Sequence, residues 1–317
     1  MFRTIVVAAL CLFATSAIAQ EGPLRIVLGF PAGASLDIAT RLVADHMRQG
    51  LGRPVIVENK VGAGGQIAND TVKAAAPDGN TLLMTPVATM AIYPHSFAGK
   101  LRYDAFKDFT PVAHVYSFHS AFGVSASLPA QTLAEYVALV KKDPKAGYYA
   151  SAAPGSIPHF IGVMLGNAAG IGMTHVAYKG TAPAMQALAG GQIAAIITVT
   201  ADVANLEKQG RARLLAVAAK TRRPAFPNVP TFKEQGYDVD GEAWTALFAP
   251  AGTPKQMMER FSQAAIAAVR DPAVRQKLEG MGLEPTGLGP AELAAIHKAD
   301  YDKWGPVIRA SGFKPGQ

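Results

Sequence analysis

The sequence predicts an α/β protein made of two successive sets of strand–loop–helix units on parallel sheets. Three observations carry that class. Short apolar, β-branched runs alternate with segments at helical spacing between residues 24 and 85, reading β-α-β-α-β. A second alternating set fills residues 120–248. With 317 residues, half of them hydrophobic, the chain is long enough for two domains of about 100–200 residues each.

In chain order, the first residues read as an address. Arg3 supplies one charge, Ile5 to Phe13 an apolar stretch, and Ala17-Ile18-Ala19 a small-x-small cleavage site. This is the pattern of a secretory signal peptide, too short to span a membrane. Cleavage after Ala19 leaves 298 residues and removes the only cysteine, Cys11. Leu10 is not the small residue that a lipoprotein signal needs, so no lipid anchor is expected. The mature chain must hold together outside the cytoplasm on its core alone.

Leu24 to Leu28 reads as a strand, and Leu36 to Gln49 as a helix with apolar residues at 36, 39, 42, 43 and 47. Between them lies Gly29-Phe30-Pro31-Ala32-Gly33-Ala34-Ser35. Ser35 is the expected cap, and Asp37 suits the positive end of the helix dipole. Such a loop turns backbone N–H groups toward an anion without needing an arginine.

Pro54 to Glu58 is the second strand, followed by Gly62-Ala63-Gly64-Gly65 and a helix from Gln66 to Ala76. The dinucleotide pattern GxGxxG fails there, because Ile67 and Asn69 stand where its third glycine belongs. Pro77-Asp78-Gly79-Asn80 is a turn, and Thr81 to Thr85 the third strand. Residues 110–126 read as one or two β segments. A helix from Leu133 and a strand at 147–150 lead to Ser151-Ala152-Ala153-Pro154-Gly155-Ser156-Ile157-Pro158-His159. Pro158 fits only a first helical turn, so that helix starts near Ser156. The chemistry of the first loop is repeated: small residues, proline, glycine and serine ahead of a helix N-terminus.

Further strands are expected at 173–177, 192–199 and 213–219, with a helix over 183–189. A strand at 245–249 crosses back. Thr253-Pro254 opens a helix as cap and first residue, Asp271-Pro272 opens another, and Gly289-Pro290 a last one through Trp304 that Pro306 should end or kink. These C-terminal helices are expected to pack on the first domain.

The net charge is +7, and +6 without Arg3, with lysines and arginines scattered and no basic run longer than a pair. That argues against a nucleic-acid surface and supports at most a bias toward anionic ligands. No GxSxG or HExxH occurs, and without mature cysteines no metal site and no cofactor are expected.

The chain resembles the Bug-type periplasmic receptors of tripartite tricarboxylate transporters. The matching stretches run in family order: 30–37, Val57-Glu58-Asn59-Lys60 with 62–65, 77–83, 107–112, Pro154-Gly155-Ser156 with His159, Val176-Ala177-Tyr178-Lys179-Gly180 with Ala182-Pro183, 190–192, 227–231, 249–254 and Lys303-Trp304. The resemblance implies a two-lobed periplasmic-binding-protein fold (Venus-flytrap, type II-like) with a hinge and the ligand in the cleft. Residues 20–119 with 249–317 would form one lobe, and 120–248 the other. It implies a solute-binding protein, not an enzyme, that captures a small carboxylate and delivers it to permease subunits. It would work as a monomer in the periplasm, without nucleic acid, metal or cofactor.

The implied ligand residues are Phe30, Ala32, Gly33, Ala34, Ser35, Asp37, Thr85, Ser151, Ala152, Pro154, Gly155, Ser156, His159, Tyr178, Lys179, Gly180 and Thr198. Three departures bear on the ligand. Ala34 replaces the second of two glycines, and Ala194 and Thr198 stand where members often carry aspartates. A neutral Thr198 predicts that simple carboxylates bind better than α-amino acids. The alternatives are a secreted α/β enzyme acting on a small organic acid and a ligand-presenting subunit of a membrane sensor kinase.

Overall fold

A computed structural model describes residues 22–151, 154–178 and 181–314. The signal-peptide residues, and Ala152, Lys179 and Gly180 among the expected site residues, lie outside them.

The first set forms as the alternation predicts. β1 (Leu24–Leu28) leads to α1 (Ser35–Leu51), β2 (Val55–Asn59), α2 (Gln66–Lys73) and β3 (Thr81–Pro86). A π-type turn at Ala88–Ile92 then runs into the short α3 (Tyr93–Ser96), neither of which the sequence announced. β4 (Phe109–Ser125) is one strand of 17 residues rather than two segments.

The second set comprises α4 (Leu133–Lys142), β5 (Tyr148–Ser151), α5 (Ile157–Ala169), β6 (Thr174–Ala177), α6 (Thr181–Ala189), β7 (Ala195–Val199), α7 (Thr200–Lys208) and β8 (Ala212–Val217). β9 (Glu242–Pro250) is the returning strand. α8 (Lys255–Arg270), α9 (Pro272–Gly280), β10 (Glu284–Leu288) and α10 (Pro290–Ser311) complete the chain.

β4 is shared by two sheets. Its first part pairs antiparallel with β9 and β10, and β9 pairs on to β3, β1 and β2. Its last part pairs antiparallel with β7 and β8, and β7 pairs on to β5 and β6. Within each set, β1, β2 and β3, and β5, β6 and β7, run parallel, as helical crossovers require.

The helices cover both faces. α1 and α8 pack Val43, Met47, Phe261 and Ala265 against Ile26, Leu82 and Leu247. α6 and α7 bring Leu188 and Val203 onto Ala121 and Ile196. The largest core is continuous across both sheets: Val72, Leu83, Trp244 and Trp304 join Phe122, Tyr149 and Phe160.

Two local expectations are corrected, and the alternative at Pro306 is narrowed, since the helix does not end there. Ala34, not Ser35, is the N-cap of α1, and no side chain caps that helix. Pro254 is the N-cap of α8, one residue later than expected, because the Thr253 hydroxyl donates to the Pro250 carbonyl at 2.8 Å instead. α10 runs through Pro306 to Ser311. Trp304 and Ile308 on either side are buried. At roughly 1.5–3 kcal/mol per buried side chain they outweigh the roughly 3 kcal/mol that an interior proline costs. α9 starts at Asp271-Pro272 as expected, with Asp271 accepting from the N–H groups of Ala273 and Val274, both at 3.0 Å. α8 packs on α1 and α10 on β4, while α10 also reaches α5 of the second set.

Candidate functional site

Register turns the strands that carry the two loops toward one stretch of β4. In the first sheet Leu28 pairs with Met84, and Pro86 with Thr245, which itself pairs with Tyr116 of β4. In the second sheet Val199 pairs with Ser120, and β5 lies beside β7 with Ala150 opposite Ile196. The C-terminal ends of β3 and β7 therefore both come to residues 116–120, where β4 passes from one sheet to the other, and β1 and β5 run parallel beside them, each in its own sheet. In open α/β sheets such strand ends are where ligands bind.

The β1–α1 loop is held from below by Asp37, which is 2 % exposed. Its Oδ2 accepts from the Gly33 N–H at 2.9 Å and Arg41 Nε at 3.0 Å; its Oδ1 accepts from Asn59 Nδ2 at 2.9 Å and lies 2.9 Å from an Arg41 terminal nitrogen. Burial works against the charged form, but these hydrogen bonds, from Arg41 foremost, outweigh it and hold the carboxyl at about 2. Asn59 also donates to the Phe30 carbonyl at 2.9 Å. The loop abuts the glycine-rich turn after β2 so closely that a Cβ on Gly29 would stand 2.4 Å from the Gly65 Cα. Glycine is required at 29 for that approach.

Of the loop's own N–H groups, Gly33 is engaged by Asp37 and Ala34 by the Pro31 carbonyl at 3.2 Å. Ala32, Gly33 and Ser35 are exposed, and the N-terminus of α1 has no side-chain cap. Its first-turn N–H groups are thus available to an outside acceptor, the arrangement that favours an anion. Thr85 is buried, its hydroxyl 2.6 Å from that of Thr89 and 3.2 Å from Asn69 Oδ1.

The β5–α5 loop is organised differently. Ser156 is the N-cap of α5 as expected, its hydroxyl accepting from the His159 N–H at 3.5 Å. Gly155 has φ +71° and donates its N–H to His159 Nδ1 at 3.0 Å. A side chain at 155 would meet the Phe313 ring at 2.7 Å. Ser151 is fully buried, its hydroxyl 2.7 Å from His175 Nε2, and its carbonyl accepts from the Tyr178 N–H at 3.0 Å. Pro154 is exposed at the turn.

Thr198 is buried near the end of β7, and its hydroxyl donates to Asp202 Oδ2 at 3.5 Å. Asp202 stands in the first turn of α7, which also lacks a side-chain cap. Burial raises its pKa, and the Thr198 hydroxyl pulls the other way. A carboxylate therefore stands one helical turn after the position where the sequence shows a neutral residue. Pattern reading missed it, because i and i+4 become neighbours only once the helix is known to start at Thr200.

Two cavities lie elsewhere. One of about 500 Å³ is lined by Pro111, Thr253, Met258, Ser262 and Pro290, and one of about 270 Å³ by Phe97, Leu101, Tyr103, Phe106 and Tyr301. Neither includes a residue of the two loops. Among the described residues, no group of three or more His, Cys, Asp or Glu side chains is placed to hold a metal ion, and no helix is long and apolar enough to cross a membrane.

Comparison with known proteins accords with this architecture. A family model described as the tripartite tricarboxylate transporter family receptor matches residues 39–313. The periplasmic binding protein BugD is 30% identical, with a TM-score of 0.77 over 93% of this chain and 99% of that one. MatC from Rhodopseudomonas palustris, solved with bound malate, is 31% identical, with a TM-score of 0.75 over 90% of this chain and 98% of its own. R. palustris Rpa4515, solved with adipate, is 27% identical with a TM-score of 0.80, covering 92% of this chain and 98% of that one. The two sheets joined through β4, with helices on both faces, are thus a periplasmic-binding-protein fold of two lobes and a hinge. On the family match across most of its length, the chain belongs to the tripartite tricarboxylate transporter receptors and is of the Bug type.

Proposed function

We propose that this protein is an extracytoplasmic solute-binding protein that captures a small carboxylate between its lobes and delivers it to the permease subunits of a tripartite tricarboxylate transporter. It acts without catalysis, cofactor or metal, as a monomer in the periplasm after its signal peptide is cleaved. The lobes are residues 20–119 with 249–317, and 120–248, with β4 and β9 as the crossings. One observation carries the reading. The N-terminus of α1 is exposed and has no side-chain cap, and neither the β1–α1 loop nor the β5–α5 loop contains lysine or arginine. An anion there is met by N–H groups and hydroxyls, aided by the α1 dipole.

In the site so proposed, Ala32, Ser35 and Leu36 offer donors from one lobe, beside Ala34, whose N–H is bonded to the Pro31 carbonyl. Ser151, Gly155, Ser156, Tyr178 and Thr198 are assigned to the other, and Ala152, Lys179 and Gly180 join them on the family resemblance alone. Asp37 and Thr85, whose polar atoms are already bonded inside the first lobe, shape the wall. Related proteins solved with malate and adipate support a carboxylate as the ligand class.

Native mass spectrometry of the purified mature protein, followed by calorimetric titration with malate, succinate and adipate, tests the reading. It expects a small acid to co-purify or bind and to survive unchanged. No binding of any of these acids, or their chemical conversion, would overturn it.

A further inference from the structure

His175 lies on β6, outside both loops, yet the β5–α5 loop is tied at both ends to it and to its neighbour His159. At the start of the loop, Ser151 Oγ is 2.7 Å from His175 Nε2. Near its end, the Gly155 N–H donates to His159 Nδ1 at 3.0 Å. The two imidazoles stack on each other, centroids 4.2 Å apart and planes 24° from parallel. Tyr149 flanks His175 at 5.3 Å and donates its hydroxyl to the His159 carbonyl at 2.6 Å. Phe313, beyond the end of α10, meets the His159 ring edge-on at 5.6 Å.

The chemistry of these contacts fixes protonation. A backbone N–H only donates, so His159 Nδ1 is unprotonated and its ring is the neutral Nε2–H tautomer. Protonating Nδ1 would set a donor against the Gly155 N–H and break the tie. The surroundings favour the neutral rings. Burial lowers His159 below the usual histidine value; burial, then the neighbouring His159, lowers His175 to about 4. Among the described residues, the titratable groups that face the pair are the two rings themselves and the Tyr149 hydroxyl, while Phe160 and Phe313 supply apolar walls.

We propose that His175 and His159 are a positioning pair, neutral imidazoles that fix Ser151 and Gly155 in the positions from which the ligand's carboxylate is accepted. The proposal rests on the solute-binding reading and adds to it a specific role for each ring nitrogen that contacts the loop. It also separates two roles for His159. Were its ring to touch the bound anion, the anion would raise its pKa. As the acceptor for Gly155, the ring must be neutral for binding, so ligand lowers its pKa by linkage.

Long-range ¹⁵N–¹H imidazole spectra of the labelled mature protein, with and without saturating L-malate from about pH 4 to about pH 8, read this directly. The expected result is a Nε2–H tautomer for His159 without ligand, and a titration that moves to lower pH with malate. A Nδ1–H tautomer, or a titration that moves upward with malate, overturns the proposal. In parallel, His175→Phe keeps a stacked ring and removes the tie to Ser151. Its malate affinity should fall about tenfold, the equivalent of one hydrogen bond, with a melting temperature near wild type, and His175→Gln should recover much of the loss. Unchanged affinity in a folded His175→Phe also overturns the proposal. If wild type binds none of malate, succinate and adipate, it is the solute-binding reading that fails. The ligand-free spectra still decide the tautomer, whether or not a variant folds.

Discussion

Asp37 and Asp202 stand in the first turns of α1 and α7, and the chain treats them in opposite ways. Asp37 is bonded on both oxygens and pulled down to about 2. Its folded value lies below its ordinary 3.8, so its contribution to stability is complete above that value and is lost as pH falls through about 2. Asp37→Asn should therefore lower stability by roughly 2 kcal/mol at neutral pH, a gap that narrows on acidification. Denaturant melts of both proteins across this range check it, and equal stability at neutral pH would contradict it. Asp202 has the Thr198 hydroxyl as its hydrogen-bond partner and is raised by burial. If Asp202 faces the ligand, its charge should weaken the preference for simple carboxylates that a neutral Thr198 alone implied. Asp202→Asn should shift the ratio of succinate to L-aspartate affinity toward succinate by about tenfold, the effect of removing one nearby charge. A ratio that stays the same in paired titrations would mean that Asp202 does not sense the ligand.

At the scale of elements, α1 and α5 open on similar sequences yet are finished differently. α5 is capped by Ser156, whereas Ser35 is already the first residue of an uncapped α1. Ser156→Ala should lower stability by about 1 kcal/mol, as lost caps do. Ser35→Ala removes no cap, so melting should hardly change while malate affinity falls about tenfold if the hydroxyl meets the ligand. Thermal melts and titrations on both variants separate the roles, and a destabilised Ser35→Ala with normal affinity would reverse the assignment. Gly155→Asp is a poorer probe of the anion, because any side chain there carries positive-φ strain and strikes Phe313.

At the scale of the whole molecule, β4 and β9 join the lobes while side chains tie them elsewhere. Arg223, after β8 of the second sheet, pairs with Glu284 at the start of β10 in the first. Phe160 of α5 lies 6.1 Å from Trp304 of α10, ring to ring, inside the continuous core. Ligand that touches both lobes adds contacts present only when they close, so it should shift the population toward closure. Small-angle scattering should show a smaller radius of gyration with saturating malate than without. No change in a protein that demonstrably binds malate would mean that the shared core already holds the lobes together.

The sequence by itself determined the alternating α/β order, both small-residue loops, the cap at Ser156, the start of α9 at Asp271-Pro272, and the family. The family rests on stretches matched along nearly the whole chain; the others rest on neighbours within a few residues, where apolar period, proline and capping chemistry act locally. Tertiary structure decided the rest. Pro306 does not end α10, because burial of Trp304 and Ile308 overrides a local preference. β10 was missed because Glu284-Pro285-Thr286-Gly287-Leu288 has no strand pattern of its own and becomes a strand only on the edge of β4. The link from Ser151 through His175 and His159 to Gly155, and the seat of Phe313 against it, join residues far apart in the chain. No spacing rule encodes such contacts; packing of β5, β6, α5 and the C-terminal segment creates them.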